Sequence, residues 1–219
     1  MKAYFAFVAL LVGLASLPVR GKQDESRRLF SGDQFQREIR VGQLHRYRVQ
    51  LESDQLLNLP VTQQGIDVII TIYHPNGQQA AVVDSPIGAK GVEPVLFIAP
   101  TSGEYQVTIR AEKQTAQQGQ YEIKVLAIAQ ASARDKIYVA AKTGTAKAEE
   151  TRNKFTVESL RQAKELYQHA IALWKEYGDA KEEAYATHGL GRTQEALSEY
   201  PAAIETYSRA VPLWQQAKD

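Results

Sequence analysis

Apolar residues alternate with polar ones through the first half of this chain and recur at three- and four-residue intervals through the second. In "FQREIR" the alternation runs through Phe35, Arg37 and Ile39, and "HRYRVQL" sets Tyr47, Val49 and Leu51 on one side. A period of two puts such a set on one face of a pleated strand, so both segments predict half-buried strands. "IDVIITIYHPNGQQAAVVD" holds two β-rich runs joined at Asn76-Gly77. Both of those residues tolerate positive φ, so the segment predicts a hairpin. "EPVLFIAP", closed by Pro100, and then "GEYQVTIR" and "GQYEIKVLAI" add further strands. Turn residues recur at roughly ten-residue spacing with no helical stretch between them, which predicts about eight strands in an antiparallel sandwich of jelly-roll type.

At Ala129 the period changes. "AQASARDKIYVAAKTGTAKAEETRNKF" is rich in alanine, lysine and glutamate and lacks proline, so it predicts a helix weakened at Gly144. Thr156 is placed to cap a second helix, with Glu158 and Ser159 in its first turn. That helix carries Leu160, Ala163, Leu166, Tyr167, Ala170, Ile171 and Trp174 on one apolar face and ends at Gly178-Asp179. A third helix is expected from Asp179 to Glu199. A fourth is expected from Pro201, at the first helical position, to Ala217.

The second and fourth helices repeat. Tyr167, Ala170, Leu173 and Trp174 are matched by Tyr207, Ala210, Leu213 and Trp214, each displaced by 40 residues, and Ala163 by Ala203. A fixed offset with identical residues at helical spacing marks units that stack on their own copies. Leu190-Gly191, Tyr200, Ala203, Tyr207 and Ala210 fall at the mutual spacings of the tetratricopeptide repeat, which the segment 179–219 resembles. Residues 132–177 match in their second helix only. Gln194 stands where that repeat has an aromatic, and its usual closing proline is missing.

The Gly-Leu-Gly of "HGLGRTQ" is therefore expected to let helices cross closely. A dinucleotide-binding loop would need a preceding strand and a third glycine, where this chain has "KEEAYAT" and Gln194. "TGTAK" at Thr143 likewise lacks the Gly-Lys-Ser/Thr of a phosphate loop.

"HRYRVQL", "GIDVIITIYHPNGQ", "TSGEYQVTIR" and "GQYEIKV" together resemble the bacterial pre-peptidase C-terminal β-sandwich across residues 35–128. Members of that family accompany secreted proteins as accessory domains. A sandwich of this kind leading into such repeats also resembles the amino-terminal part of CHAT-domain proteins. Their caspase-like protease domain needs a His–Cys dyad, and this chain has no cysteine. No part of that activity is carried by any residue here. The fold class predicted is multidomain, all-β plus all-α: a jelly-roll-like antiparallel sandwich at 29–128, then a short tetratricopeptide-like helical hairpin array at 129–219.

Composition narrows the function. The 219 residues include 26 basic and 25 acidic ones, for a net charge of +1, so no overall field favours nucleic acid or an anionic membrane. The arginines of Arg46-Tyr47-Arg48 are read as the solvent face of a strand. The absence of cysteine excludes disulfides, thiolate catalysis and a lipoprotein anchor. "MKAYFAFVALLVGLASLPVRGK" has a basic start and an apolar run broken by Pro18. Residues 1–21 read as a secretory signal, with an uncleaved anchor as the alternative.

Catalytic chemistry is not apparent. His45, His74, His169 and His188 are not paired at metal-ligand spacing, and Ser85 lacks the flanking glycines of a nucleophile elbow. Asp67, Asp84 and Glu93 would supply oxygen ligands to calcium if the sandwich gathered them, but they are scattered singly. Neither metal nor cofactor is expected.

The candidate site lies on the third helix, where Tyr185, His188, Arg192 and Glu195 stand at positions 0, 3, 7 and 10 of one stripe. By the repeat resemblance that stripe lines a concave groove for an extended peptide or a partner surface. The expected function is thus non-catalytic, secreted protein–protein interaction or scaffolding. The alternatives are the recognition part of a larger CHAT-type protease and a carbohydrate-binding envelope protein. The last helix leaves an uncovered apolar end through which the chain could self-associate.

Overall fold

The computed structural model describes residues 26–85, 88–112 and 117–217, so the expected leader at 1–21 lies outside the described residues. Ten strands come first: β1 (Arg27–Arg28), β2 (Gln34–Arg40), β3 (Leu44–Leu51), β4 (Gln55–Gln64), β5 (Val68–Tyr73), β6 (Gln79–Val83), β7 (Lys90–Ile98), β8 (Gly103–Ala111), β9 (Gln118–Lys124) and β10 (Ala127–Gln130). They form two sheets. One runs β1-β3-β8-β5-β6; the other runs β10-β4-β9-β2, with β7 along the opposite edge of β4. Every pairing is antiparallel except the two-residue contact of β1 with β3.

Alternation places the core. Tyr47, Val49 and Leu51 of β3 are buried together with Leu57, Leu59 and Val61 of β4, Val68, Ile70 and Ile72 of β5, and Tyr105, Val107 and Ile109 of β8. Each such side chain taken fully out of water contributes about 1.5–3 kcal/mol, offsetting the ordering entropy of its strand. The histidine inside the sandwich is partnered. His45 Nδ1 lies 2.6 Å from the hydroxyl of Tyr121, which also bonds that of Tyr47.

The longest strand missing from the sequence reading is β4, central in its sheet. Pro60 interrupts its pattern, and proline is ordinarily confined to edges because it cannot donate to a ladder. Register explains the exception. β10 pairs with residues 55–58 of β4 and β9 with residues 61–64, so Pro60 faces the gap between them. On the β7 side it stands opposite Pro94. Gln55 O accepts from Ala99 N–H on that side and Asn58 O from Leu126 N–H on the other. Even-numbered β4 residues therefore point away from β7, and neither proline removes a bond from the β4–β7 ladder.

The β5–β6 hairpin forms as expected, but its turn differs. The loop is longer than two residues: His74 N–H donates to Gln78 O, and Gly77 N–H to His74 O. Of Asn76 and Gly77 only the glycine has positive φ, at 82°.

Four helices follow: α1 (Ala133–Arg152), α2 (Val157–Tyr177), α3 (Ala180–Ala196) and α4 (Tyr200–Gln216). The chain passes from β10 into α1 through Ala131 and Ser132 alone, and a capping box of Ser132 and Asp135 starts the helix. Ala131 N–H donates to Asp54 O at 2.9 Å, and Lys136 Nζ lies 3.3 Å from Asp54 Oδ2, tying α1 to the sandwich. Thr156 and Ser159 form the capping box of α2, and Gly178, at φ 87°, closes it in the left-handed conformation. Asp179 caps α3. α4 begins one residue earlier than expected, so Pro201 takes its second position.

Consecutive helices pack against one another along an apolar seam of Ala141, Ala148, Tyr167, Ile171, Trp174, Ala186 and Leu190. Trp174 is fully buried, edge-on to Tyr138 at 5.4 Å, and its Nε1–H donates to Thr145 Oγ1 at 2.9 Å. Gly144, read as a weak point, lies in the α1–α2 crossing, where an added Cβ would sit 3.5 Å from that of Ala170.

Candidate functional site

The inward face of α3 determines what its outward face can do. Gly189 and Gly191 each receive a tyrosine ring: a Cβ on Gly189 would stand 2.5 Å from Tyr167 Cε1, and one on Gly191 would stand 2.6 Å from Tyr207 Cε1. Those tyrosines are the repeat-equivalent pair, one from α2 and one from α4. Gly-Leu-Gly is thus a helix-packing device between two aromatic rings, with Leu190 buried in the same seam.

With that face fixed, Tyr185, His188, Arg192 and Glu195 are all exposed. Tyr185 donates its hydroxyl to Glu149 Oε1 of α1 at 2.6 Å. The bond to a carboxylate favours the neutral phenol and, with burial adding to it, pushes the Tyr185 hydroxyl up to about 12. The His188 ring sits 5.4 Å from that of Tyr207, whose hydroxyl donates to Glu195 Oε2 at 2.9 Å. Tyr207 is raised as well, first by desolvation and then by that bond. The four residues therefore form one surface reaching α1 on one side and α4 on the other.

Sequence reasoning had not included Glu149, Arg152, Tyr167 and Tyr207 in this surface. The available signal was the 40-residue offset, which relates Arg152 to Arg192 as it relates Tyr167 to Tyr207. Tyr167 is fully buried, and its hydroxyl lies 2.9 Å from where a Cβ of Gly189 would be. Among the described residues that hydroxyl has no hydrogen-bond partner. Desolvation pushes it up to about 12, opposed by the nearby charge of Arg152.

The three carboxylates weighed for calcium are brought near one another. Burial raises Asp84, with the charge of Asp67 adding to it. Glu93 is fully buried, and its carboxylate accepts from Ser85 N–H at 3.0 Å and Gln63 Nε2–H at 3.4 Å. Among the described residues no group of three His, Cys, Asp or Glu side chains is placed to hold a metal ion. Among the same residues no helix is long and apolar enough to cross a membrane.

The tetratricopeptide-repeat family profile matches residues 154–216. Among solved structures the chain is similar to the pre-peptidase C-terminal domain of a Bacillus anthracis collagenase, at 18% identity over 48% of this chain and 97% of that one, with a TM-score of 0.40. It is also similar to PliG of Aeromonas hydrophila, a periplasmic inhibitor of g-type lysozyme, at 11% identity over 45% and 91%, with a TM-score of 0.36. No curated protein matches the chain. The helical half is a tetratricopeptide-like array, a class of protein-interaction module, and it follows an antiparallel two-sheet sandwich.

Proposed function

We propose that this chain is a non-catalytic, exported interaction protein whose helices receive an extended segment of a protein partner across the exposed surface of α1 and α3. One observation carries the reading. Tyr185, His188, Arg192 and Glu195 stay exposed while the helix surface on either side of them, at Gly189 and Gly191, is closed by Tyr167 and Tyr207. Aromatic, cationic and anionic groups side by side on packed helices suit recognition of a peptide by hydrogen bonds and charge. The sandwich serves as an accessory body. In this reading the chain is either a small adaptor or the recognition part of a CHAT-type protein, and the coding sequence downstream of Asp219 distinguishes the two.

Selection of a displayed random peptide library on the folded protein tests the surface. Enriched peptides are expected to shift the amide resonances of Tyr185 and His188 and to lose binding in the Tyr185→Ala/Arg192→Ala double variant. Enriched peptides that perturb only the sandwich, or that bind the double variant equally, would overturn the reading. Export is checked by fractionating cells that express the full chain, where retention in the cytoplasm counts against it.

A second reading has its own observation. Leu160 and Ile171 of α2 are 3% and 7% exposed, whereas their repeat equivalents on α4, Tyr200 and Val211, are 58% and 54% exposed. The face that α3 covers on α2 is open on α4, which supports self-association there. Sedimentation velocity over a concentration series should show a dimer that Val211→Glu dissociates. A monomer at every concentration rejects it.

A further inference from the structure

The outer face of the sheet β1-β3-β8-β5-β6 carries a cluster of like charges. Alternation turns Arg46 and Arg48 of β3 outward, with Thr108 and Gln106 of β8 opposite them. Beyond those stand Thr71 and Tyr73 of β5. On the other side β1 lays Arg28 directly beside Arg48. Neighbouring positions on such a face are about 5 Å apart across the strands and about 7 Å apart along one strand.

Like charges side by side on a sheet oppose folding, so the acids that offset them matter. One carboxylate, Glu104, serves two of the arginines: it lies 2.8 Å from Arg28 Nη2 and 3.5 Å from Arg48 Nη1. Arg48 also donates to Ser26 O at 3.3 Å, so this pair clips β1 to the sheet. Arg46 is exposed and has no side-chain hydrogen bond or ion pair among the described residues. Arg110, diagonal to Arg46 across the β3–β8 ladder, adds a fourth guanidinium, with Glu112 at 3.1 Å. Four arginines against two carboxylates leave this face cationic, and Arg46 is the one whose charge nothing offsets.

Such a face fits an anion, and its surroundings favour one kind of carrier. A nucleic-acid strand is held on several stacking aromatics, whereas Tyr47 and Tyr105 point into the core and Tyr73 alone of these strands' tyrosines faces outward. An acidic peptide would add to a sheet edge, and β1 occupies the edge of β3 beside the arginines. Next to the guanidiniums lie instead the hydroxyl of Thr71, the amide of Gln106 and the Tyr73 ring, all half-buried. Hydroxyl and amide exchange hydrogen bonds with sugar hydroxyls, and the ring offers an apolar face to a sugar. We propose that the outer face of this sheet binds a linear acidic polysaccharide, with Arg46 as its principal anchor. Arg46, Arg48 and Arg110 take successive anionic groups through paired N–H donors, and Thr71, Gln106 and Tyr73 meet the sugars. The anionic groups are either uronate carboxylates or sulfates. This site is independent of the helical surface.

Fluorescence anisotropy of end-labelled octasaccharides on the full chain tests it. Oligogalacturonate or a heparin-derived octasaccharide should bind about tenfold more tightly than fully methyl-esterified oligogalacturonate, by a margin that falls with salt. Whichever of the two binds more tightly identifies the anionic group. Its binding should shift the amide resonances of Arg46, Thr71 and Gln106 and leave those of Tyr185 and His188 in place. Arg46→Gln should lower that affinity about tenfold without moving the unfolding midpoint, since no described residue bonds its side chain. Arg40→Gln, on β2 of the other sheet, should change neither. Equal binding of the methyl ester, or an equal loss in Arg40→Gln, overturns a site built around Arg46. A twelve-nucleotide single strand that binds more tightly than both acidic octasaccharides overturns the polysaccharide assignment. Failure of both octasaccharides to bind overturns the proposal, while the helical reading, reported by Tyr185 and His188, stands or falls on its own peptides.

Discussion

The ring of Tyr167 occupies the space that a side chain on Gly189 would fill, with Cε1 and Cζ at 2.5 and 2.6 Å from the position of an added Cβ. Glycine inside a helix costs about 1 kcal/mol relative to alanine, so its presence here needs a packing reason, and this ring is the reason.

Three glycine-to-alanine changes should accordingly give three outcomes. Gly189→Ala forces a fully buried ring aside, and an overpacking cost of about 1–3 kcal/mol exceeds the helix-propensity gain. Gly191→Ala meets Tyr207, which is half-buried and can swing outward, so its stability should change little while the Tyr207–Glu195 bond is lost. Gly144→Ala meets only Ala170 at an ordinary 3.5 Å and should stabilise by about 0.5–1 kcal/mol. Urea unfolding of the three variants checks the order. A Gly189→Ala protein as stable as Gly144→Ala would contradict the packing account.

Thr145 is the acceptor for the buried Trp174 indole and donates its own hydroxyl to Ala141 O at 3.0 Å. Thr145→Val keeps the shape but leaves the indole N–H without a partner, at a cost of about 1–3 kcal/mol. Thr145→Ser restores the acceptor and should recover most of the loss. Thermal unfolding followed by Trp174 fluorescence in a Trp214→Phe background makes the comparison. Equal midpoints for the Val and Ser variants would count against the bond.

How much of this could be read from the residues varied with the kind of constraint. The α2–α4 repeat was legible because packing wrote the same side chains twice, 40 residues apart, and Trp174 and Tyr167 are buried where that pattern put them. The stripe from Tyr185 to Glu195 was legible from helical period alone, and all four residues lie exposed on α3. β4 was not legible, because Pro60 breaks its pattern and only the register of two different partner strands makes it tolerable. Nor were the contacts of Glu149 with Tyr185 and of Glu195 with Tyr207, which depend on how neighbouring helices are set against α3. Periodicity describes a face, and the side chains that cross between faces are fixed by tertiary packing.

The acid limb of stability should bear the mark of Glu93. Burial raises its carboxyl from the ordinary 4.5, so the native state holds that proton more tightly than the unfolded chain does. Its contribution is complete below pH 4.5 and declines as pH rises from there through the native value. Glu93→Gln should flatten that part of the profile measured by urea unfolding at intervals between about pH 4 and 7. A wild-type profile that instead rises across this window, with an unchanged slope in the variant, would remove Glu93 as its source.

The alkaline limb belongs to the tyrosines. Tyr167 and Tyr185 are both raised from 10 to about 12, the first mainly by desolvation and the second mainly by its bond to Glu149. In each case the native state keeps a proton that the unfolded chain releases, so the stability they confer is whole below pH 10 and is lost as pH climbs toward 12. For buried Tyr167 the linkage amounts to roughly 2–3 kcal/mol. Tyr185 is nearly half exposed, and solvent screening reduces its share. Tyr167→Phe should therefore flatten most of the decline in stability between pH 10 and 11.5, and Tyr185→Phe a smaller part, when urea midpoints are paired with phenolate absorbance (roughly the window set by the ordinary tyrosine value). If Tyr185→Phe flattened the decline and Tyr167→Phe did not, the buried hydroxyl would have to be ionising in water, and the tight contact of its ring with Gly189 could not hold in solution.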